Sequence, residues 1–377
     1  MKTRHIMGGF LLLATGAVQA GAQVYQGRVG NAPIVMEFDV GQDGQVDGRY
    51  FYRKYHADIA LSGKRGADGA LSLGENLPYD SERIDIVLKP QGKGWVGEWK
   101  GPKAKTALAM ELVPLDVAAL RPFDPASAVA KQESAYDYAR LSGLVFKPGK
   151  TQKFNGYNLQ WMEEPVSKIT LFRVQDGLPA DTLTRLNRML AERQWREVSG
   201  YFGCMGGAAR SSGGGDYEQT ITPRFINGRF FSASVFTSYY CGGAHPDFGD
   251  NPINLDLKTG KELQLEDLLW LGKAEVRLPR KTDGSRVDYQ YEEKTLGPWL
   301  QRAMKQQHPK DMVSDPEGCD YNDPSVWQFV SWYLTPKGLY VGPSFPRVAR
   351  ACEYPEWSVL PWKLVNQHPG ALGVTQP

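Results

Sequence analysis

The sequence predicts an α+β protein, with an N-terminal antiparallel β meander or small barrel followed by a disulfide-stapled α+β domain. Short β-rich runs separated by Gly-rich turns fill residues 23–117 at regular spacing, which is typical of an antiparallel meander. Helical patterns begin near residue 120 and then alternate with further β-rich runs. The cysteines all lie in the second half of the chain, at Cys204, Cys241, Cys319 and Cys352.

Residues 1–22 have the pattern of a cleavable secretory signal peptide. Lys2 and Arg4 precede a short apolar run, and small residues then allow cleavage after Ala20 or Ala22. The apolar run is too short to cross about 30 Å of hydrocarbon, and no later stretch approaches that length. We therefore expect a periplasmic or secreted protein that does not span the membrane.

The charge balance argues against nucleic-acid binding. The chain carries 44 basic and 42 acidic residues, and cleavage of the signal peptide with Lys2 and Arg4 leaves 42 of each sign. A protein that neutralises many phosphates needs an excess of Lys and Arg, which the mature chain lacks. The same balance argues against a polybasic protein of the membrane surface.

The N-terminal part shows the alternation expected of strands. In the run 32–40, Ile34, Met36 and Phe38 face one side, and the residues between them face the other. Residues 49–55 combine three tyrosines with three basic residues. We interpret this segment as a strand with one packed and one solvated face. The alternative is a ligand site in the mouth of a small barrel.

The second part predicts helices joined to hairpins. Residues 118–142 indicate a helical linker that starts at Asp124-Pro125, since Pro fits the first turn of a helix. Amphipathic patterns predict a helix over 180–195 and a more polar helix over 295–308. Three turn sequences between β-rich runs predict hairpins: Asn227-Gly228, Lys258-Thr259-Gly260 and Pro336-Lys337-Gly338.

The last 50 residues are rich in aromatic side chains. Aromatic residues stack on sugars and anchor interfaces, but they also fill β-rich cores. Trp327 and Phe329 alternate with Val330 and Trp332, a pattern that favours a packed strand. We therefore expect most of these side chains to belong to the core.

The even number of cysteines in an exported chain predicts two disulfides. We favour Cys204–Cys241 and Cys319–Cys352, because each pair closes a loop between neighbouring strand-like segments. A zinc site is disfavoured, since the chain has no Cys-x-x-Cys pair and the cysteines are widely spaced. No metal or other cofactor is expected.

The stretch Ser238–Gly249, SYYCGGAHPDFG, is the best candidate site in the sequence. His245 and Asp247 are weak catalytic candidates, because no motif such as Gly-x-Ser-x-Gly or His-Glu-x-x-His accompanies them. Gly242 and Gly243 allow a sharp exit from a strand, so a structural corner is the favoured interpretation. A binding face is the second interpretation, and its candidate residues are Tyr239, Tyr240, His245, Pro246 and Asp247.

Residues 239–269, from YYCGGAHPDFG to LKTGKELQLEDLL, resemble the RsiV-like C-terminal domain known as DUF3298. On this resemblance, residues 143–368 form one α+β domain, with a DUF3298-like part at 239–366 and a DUF4163-like part at 150–240. Domains of this kind lie outside the cytoplasm. Some are sensor regions of anti-sigma factors similar to a domain that binds lysozyme, and others accompany peptidoglycan-modifying enzymes as non-catalytic modules.

This chain departs from the signalling members, because it has no transmembrane helix and no cytoplasmic anti-sigma segment. Its cysteines and its β domain at 23–117 also fall outside the family pattern. The resemblance therefore implies an exported, non-enzymatic binding protein of the cell envelope. Its partner would be a lysozyme-like muramidase, which it recognises or inhibits, or peptidoglycan glycan. The alternatives are a hydrolase of envelope polysaccharide with His245 and Asp247 at its centre, and a periplasmic toxin-neutralising protein.

Overall fold

The structure is a computed structural model that describes residues 22–75, 84–120, 134–209, 214–272, 289–312 and 318–373. The chain divides into two compact units. Among the described residues, the first unit takes in 22–55, 59–75 and 84–116, and the second takes in 56–58 and everything from 117 onward. The predicted signal peptide lies outside the described residues, apart from Ala22.

The first unit is a closed antiparallel barrel of eight strands, so the predicted meander or small barrel is confirmed. Each strand pairs with the next along the chain, and the last pairs with the first. The strands are β1 (Gln23–Val29), β2 (Ala32–Val40), β3 (Gln45–Tyr52), β4 (Ile59–Arg65), β5 (Leu71–Glu75), β6 (Asp85–Gln91), β7 (Gly94–Lys100) and β8 (Leu108–Pro114).

Alternating side chains fill the inside of the barrel, as expected for a barrel of this size. Ile34, Met36 and Phe38 of β2 are buried there, which confirms the predicted alternation. Tyr50 is also buried, and its hydroxyl donates a 2.5 Å hydrogen bond to Oε1 of Glu75. The tyrosines of the predicted segment 49–55 therefore differ in burial, because Tyr50 belongs to the core whereas Tyr55 is 60% exposed.

The second unit contains three antiparallel sheets, with orders β11-β10-β9, β12-β13-β15-β16 and β17-β18-β19, and β14 pairs with β13. The strands are β9 (Lys147–Phe154), β10 (Tyr157–Glu163), β11 (Thr170–Val174), β12 (Asp216–Ile226), β13 (Phe230–Tyr240), β14 (Asp247–Asp250), β15 (Ile253–Asp256), β16 (Lys261–Glu262), β17 (Ser331–Thr335), β18 (Gly338–Gly342) and β19 (Val359–Pro361). The helices are α1 (Ala135–Leu141), α2 (Ala180–Ala208), α3 (Leu265–Leu268), α4 (Tyr289–Tyr291), α5 (Gly297–Gln307) and α6 (Trp362–Val365).

Helix α2 is longer than its sequence pattern indicates. The predicted end at Trp195 is wrong, because the buried stripe continues through Val198 and Phe202. Near its C-terminus, a Cβ atom at Gly207 would lie 2.6 Å from the carbonyl oxygen of Cys241. Glycine thus lowers helix propensity here but permits the helix to approach the end of β13 closely.

Helix α1 begins at Ala135, where the Ser134 side chain accepts a 3.1 Å hydrogen bond from the backbone N–H of Asp137. This is the geometry of an N-cap. The predicted start at Asp124-Pro125 lies outside the described residues. None of the helices in the described part of the chain has the length and apolar character needed to cross a bilayer.

All three predicted hairpins are present. At the tip of β12–β13, the Asn227 side chain accepts hydrogen bonds from the backbone N–H groups of Arg229 and Phe230. At the tip of β15–β16, Gly260 has a φ of +67°, a conformation that favours glycine. The corner predicted after β13 is followed at once by a short strand, because Asp247–Asp250 forms β14 and folds back onto β13.

Both predicted disulfides are confirmed. Cys204 at the end of α2 is bonded to Cys241, which directly follows β13, with Cα atoms 4.5 Å apart. Cys319 is bonded to Cys352 in the same unit, with Cα atoms 5.4 Å apart. Such bonds are typical of proteins of the extracellular space or the periplasm.

The aromatic side chains of the C-terminal part divide between core and surface. Trp327 is fully buried, but it lies in a 3₁₀ turn over Pro324–Trp327 and not in a strand. Strand β17 begins at Ser331, so the predicted alternation from Trp327 is wrong, and Phe329 is half exposed. The core interpretation therefore holds for Trp327 and does not hold for Phe329.

Candidate functional site

The five residues predicted from the stretch 238–249 are not gathered in one pocket of the described structure. Tyr239 and Tyr240 are adjacent on β13, so their side chains point to opposite faces of the sheet. The Tyr240 hydroxyl donates to the carbonyl oxygen of Gly243 at 2.9 Å. His245 and Pro246 are exposed at the tip of the β13–β14 hairpin, and His245 has no hydrogen bond or ion pair with any described residue.

Asp247 is engaged by an arginine. The Arg350 guanidinium donates to Oδ1 of Asp247 at 2.6 Å and to the carbonyl oxygen of Phe248 at 2.5 Å. Arg347 donates to the carbonyl oxygen of Pro246 at 2.9 Å. These contacts fasten the hairpin to the 3₁₀ segment Arg347–Cys352. In the described structure Asp247 is therefore bound to Arg350, a structural contact, and no hydrogen bond joins it to His245.

A concave site lies close to this hairpin, and Asp250 of β14 is part of its lining. By register, Asp250 pairs with Phe236 of β13, and Phe236 pairs with Thr220 of β12. Their side chains share one face of this sheet with Thr222 and Ser234. The β17–β18 hairpin lies over the same face, so a cavity of 560 Å³ forms between the two layers. We call it the tyrosine cavity, after Tyr333, Tyr340 and Tyr354 in its lining.

Asp250 is held firmly in the wall of this cavity. Its Oδ1 accepts from the backbone N–H of Val235 and its Oδ2 accepts from the Ser234 hydroxyl, both at 2.8 Å. Burial raises the pKa of Asp250 above its usual value, although these two hydrogen bonds and the charge of Arg224 act in the opposite direction. The carboxylate is thus a hydrogen-bond acceptor in a fixed position, and its burial costs desolvation free energy.

Two tyrosines and one arginine form the opposite wall. Tyr333 and Tyr340 stack with ring centroids 4.3 Å apart, and the Arg224 guanidinium lies 4.8 Å from the Tyr333 ring centroid. Burial raises the pKa of Tyr333 to about 12 and also raises that of Tyr340. Both phenols therefore remain protonated near neutral pH and can donate hydrogen bonds.

Two donors of this wall lack acceptors among the described residues. The Tyr340 side chain is only 3% exposed, yet its hydroxyl has no hydrogen-bond partner there. The same is true of the buried Nε of Arg224. Buried polar groups are nearly always hydrogen-bonded, so a water molecule or a ligand that carries acceptors would satisfy these two donors.

Tyr354 completes the lining in an unusual backbone conformation. Its φ is +62°, which is uncommon for a bulky residue and costs of order 1–3 kcal/mol. Its hydroxyl accepts a 3.1 Å hydrogen bond from the backbone N–H of Asp250, and its ring packs edge-on against Phe236. These contacts hold the Tyr354 ring in the cavity wall despite the strain.

The lining of the tyrosine cavity combines aromatic rings with hydrogen-bonding groups. Asp250 and Glu356 supply carboxylate acceptors, and Arg224 and the phenols supply donors, whereas the Tyr333 ring is already stacked on Tyr340 and covered by Arg224. Its volume lies within the usual range for ligand pockets. Within the described ranges, no group of three or more His, Cys, Asp and Glu side chains could hold a metal ion.

Fold and cavity together define a disulfide-stapled α+β protein with a preformed polar–aromatic pocket. The chain matches no protein-family model, and a comparison with curated proteins found no relative. The resemblance of residues 239–269 to the RsiV-like domain therefore stays a prediction.

Sequence reasoning missed most of the tyrosine cavity, because its lining residues are far apart in the chain. One signal was available for two of them. The turn at Pro336-Lys337-Gly338 fixes the register of its hairpin, and that register places Tyr333 directly opposite Tyr340. An aromatic pair facing the same side of a hairpin could have been predicted. Arg224, Tyr354 and Glu356 carry no such local signal.

The raised pKa of Asp250 predicts a pH-dependent stability with a defined sign. Between the usual aspartate pKa and the raised value, the folded protein binds more protons than the unfolded chain, so stability falls as pH rises through this window. An amide at this position keeps an acceptor for Val235 without the buried charge. Asp250→Asn is therefore expected to be more stable than the wild type at pH 7, and the difference should vanish in acid. Urea unfolding at a series of pH values measures this.

Asp176 provides the matched control of opposite sign. Its pKa is lowered, chiefly by a hydrogen bond from the backbone N–H of Asn158. Asp176→Asn should therefore lose stability above the usual aspartate pKa, and this loss should disappear as pH falls through the lowered value. If Asp250→Asn followed the same course as Asp176→Asn, the assignment of Asp250 as a destabilising buried charge would be wrong.

Proposed function

We propose that this protein is an exported, non-enzymatic binding protein of the cell envelope that holds peptidoglycan glycan in the tyrosine cavity. The observation that carries the proposal is the pair of buried donors, Tyr340 Oη and Arg224 Nε, which have no acceptors among the described residues. A glycan ring supplies hydroxyl and amide oxygens as acceptors for these donors. The two disulfides support a site of action outside the cytoplasm.

The direct test is sedimentation with purified, protein-free peptidoglycan, followed by calorimetry with soluble fragments. The wild-type protein should co-sediment and should bind fragments in a saturable manner, and a Tyr340→Phe variant should bind them less well. A protein that stays in the supernatant and gives no heat with any fragment would contradict the proposal. Cellulose serves as an insoluble glycan control without peptide cross-links.

Tyr340→Phe should change stability and affinity in opposite directions. Removing a buried hydroxyl that lacks a protein partner is expected to raise the free energy of unfolding, by about 1 kcal/mol or more. Loss of one hydrogen bond to the ligand should weaken binding about fivefold. Urea unfolding and calorimetry measure the two effects on the same variant.

Tyr55→Phe is the matched control, because it removes a hydroxyl from a tyrosine that is 60% exposed in the first unit. Neither stability nor glycan affinity should change measurably in this variant. A loss of stability in Tyr340→Phe would show that its hydroxyl has a structural role, and the case for a ligand donor would then fail.

A second candidate function is recognition of a lysozyme-like muramidase, which the resemblance of residues 239–269 suggests. The β13–β14 tip supports it, because Ala244, His245 and Pro246 are exposed on a loop that Cys241 and Arg347 hold in place. A projecting, fastened loop suits contact with a protein surface. Retention on immobilised lysozyme that is lost in a His245→Ala variant would support this function. Retention that His245→Ala leaves unchanged would exclude this loop as the contact.

The rival hydrolase centred on His245 and Asp247 makes a different prediction. A general base needs an orienting partner, and Asp247 is paired with Arg350 instead. We expect no release of reducing ends when the protein is incubated with peptidoglycan fragments. Release that disappears in His245→Ala would overturn the non-enzymatic proposal.

A further inference from the structure

A second cavity adjoins the tyrosine cavity. It has a volume of 510 Å³ and lies between the start of β15, the β16–α3 connection and the start of β17. We call it the Trp332 cavity. Its lining includes Pro252, Glu262, Gln264, Phe329, Trp332 and Pro343. Asp250 and Tyr354 line both cavities, so these two residues form the wall between them.

Hydrogen bonds fix the position of Asp250 and Tyr354 in the wall between the two cavities. Tyr354 stands there in its left-handed conformation and accepts a hydrogen bond from the backbone N–H of Asp250. The carbonyl oxygen of Asp250 accepts a 3.1 Å hydrogen bond from the Ser331 hydroxyl, on the side of the Trp332 cavity. Asp250 is thus hydrogen-bonded through its backbone to Ser331 and to Tyr354, and Tyr354 has a positive φ.

The Trp332 cavity repeats the chemistry of the tyrosine cavity. Phe329 is 50% exposed, and Trp332 is partly exposed, so aromatic surface is open to a ligand. Glu262 and Gln264 supply a carboxylate and an amide at the edge. Aromatic rings bordered by acceptors and donors are again suited to a sugar ring. Two such cavities that share one wall would suit a ligand with a repeating unit.

We infer that the ligand is a glycan chain that places sugar units in both cavities, with the linkage between them passing Tyr354. This inference rests on the proposed function and deepens it, because a chain and not a single sugar becomes the binding unit. Affinity should then rise steeply with chain length until both cavities are filled and should change little beyond that point. Side chains of the Trp332 cavity should matter only for ligands long enough to reach it.

The test is calorimetry with N-acetylglucosamine and its β-1,4-linked dimer, trimer and tetramer, using the whole protein. The longest oligomer should bind at least tenfold more tightly than the monosaccharide. Phe329→Ala should weaken binding of that oligomer about fivefold to tenfold and leave binding of the monosaccharide unchanged. Tyr340→Phe should weaken both. Val166→Ala is the control, because Val166 is also 50% exposed but lies outside both cavities.

The outcomes separate the inference from the proposed function. If the wild type bound all chain lengths with equal affinity, and Tyr340→Phe weakened binding of the monosaccharide and of the tetramer alike, the chain inference would be overturned and a single glycan site retained. An equal loss for monosaccharide and tetramer in Phe329→Ala would also overturn it, since one shared site would explain both. No binding of any of these oligomers by the wild type would overturn the inference, whereas the proposed function fails only if the protein also binds neither peptidoglycan nor its soluble fragments. Circular dichroism confirms that each variant is folded.

Discussion

Replacing Cys319 and Cys352 together by serine is expected to lower the free energy of unfolding by about 4 kcal/mol. The bond closes a loop of 33 residues, and cross-linking a loop of that length removes this much chain entropy from the unfolded state. Cys352 is buried, and its carbonyl oxygen accepts from the Tyr321 hydroxyl at 2.9 Å, so the native neighbourhood is packed around the bond. Urea unfolding of the oxidised wild type and the double variant measures the difference.

The other disulfide is the control that separates stability from binding. Cys204–Cys241 closes a loop of 37 residues, so its removal should lower stability by about the same amount. Only Cys352 lies two residues from Tyr354, in the wall of the tyrosine cavity. The Cys319/Cys352 variant should therefore lose glycan affinity in its folded fraction, whereas the Cys204/Cys241 variant should retain it. Equal affinities in the two variants would show that the disulfide does not position Tyr354.

The sequence was most informative where local rules determine the structure. All strands of the barrel are visible in the sequence as short β-rich runs between turns, and hairpins follow from Asn227-Gly228 and Lys258-Thr259-Gly260. The cysteine pairs were predicted correctly, but not for the reason given, because Cys204 lies at the end of α2 and Cys352 in a 3₁₀ segment instead of in neighbouring strands. The end of α2 was missed because Gly207 and nearby glycines lower helix propensity, whereas close packing on Cys241 retains them in the helix.

Elements that depend on tertiary contacts were not predictable in the same way. Strand β9 reads as the polar segment KPGKTQKF, and only pairing with β10 makes it a strand. Strand β14 is short and contains Gly249, and it exists because it folds back onto β13. The site depends on the same contacts, since β14 carries Asp250 into the cavity.

Three residues of the tyrosine cavity each reduce stability by a different mechanism. Asp250 is a desolvated carboxylate, Tyr340 buries a hydroxyl without a partner in the described chain, and Tyr354 has a positive φ. Departures from local optimality are expected at functional sites, where binding requires groups that folding alone would not retain. Their convergence on one cavity, rather than on the exposed tip at His245, favours this cavity as the site of function.

The strongest test of the site is the replacement of Arg224. Its guanidinium lies over the Tyr333 ring and has no ion pair or hydrogen bond with any described residue. A planar guanidinium that is already stacked loses little conformational freedom when it donates to a ligand. Hydrogen bonds from a charged donor contribute about 1.5–3 kcal/mol, so Arg224→Met should weaken glycan binding about tenfold to hundredfold.

Arg224→Lys distinguishes charge from geometry at this position. Lysine keeps the positive charge but lacks the planar fork of donors, so it should recover only part of the lost affinity. Full recovery by lysine would mean that Arg224 acts as a charge that neutralises Asp250 and Glu356. In that case, adding Asp250→Asn to the Arg224→Met variant should restore glycan binding. A direct donor role for Arg224 predicts that the double variant binds no better than Arg224→Met alone. Calorimetry on the single and double variants decides between the two roles, because only the neutralising role couples the two positions.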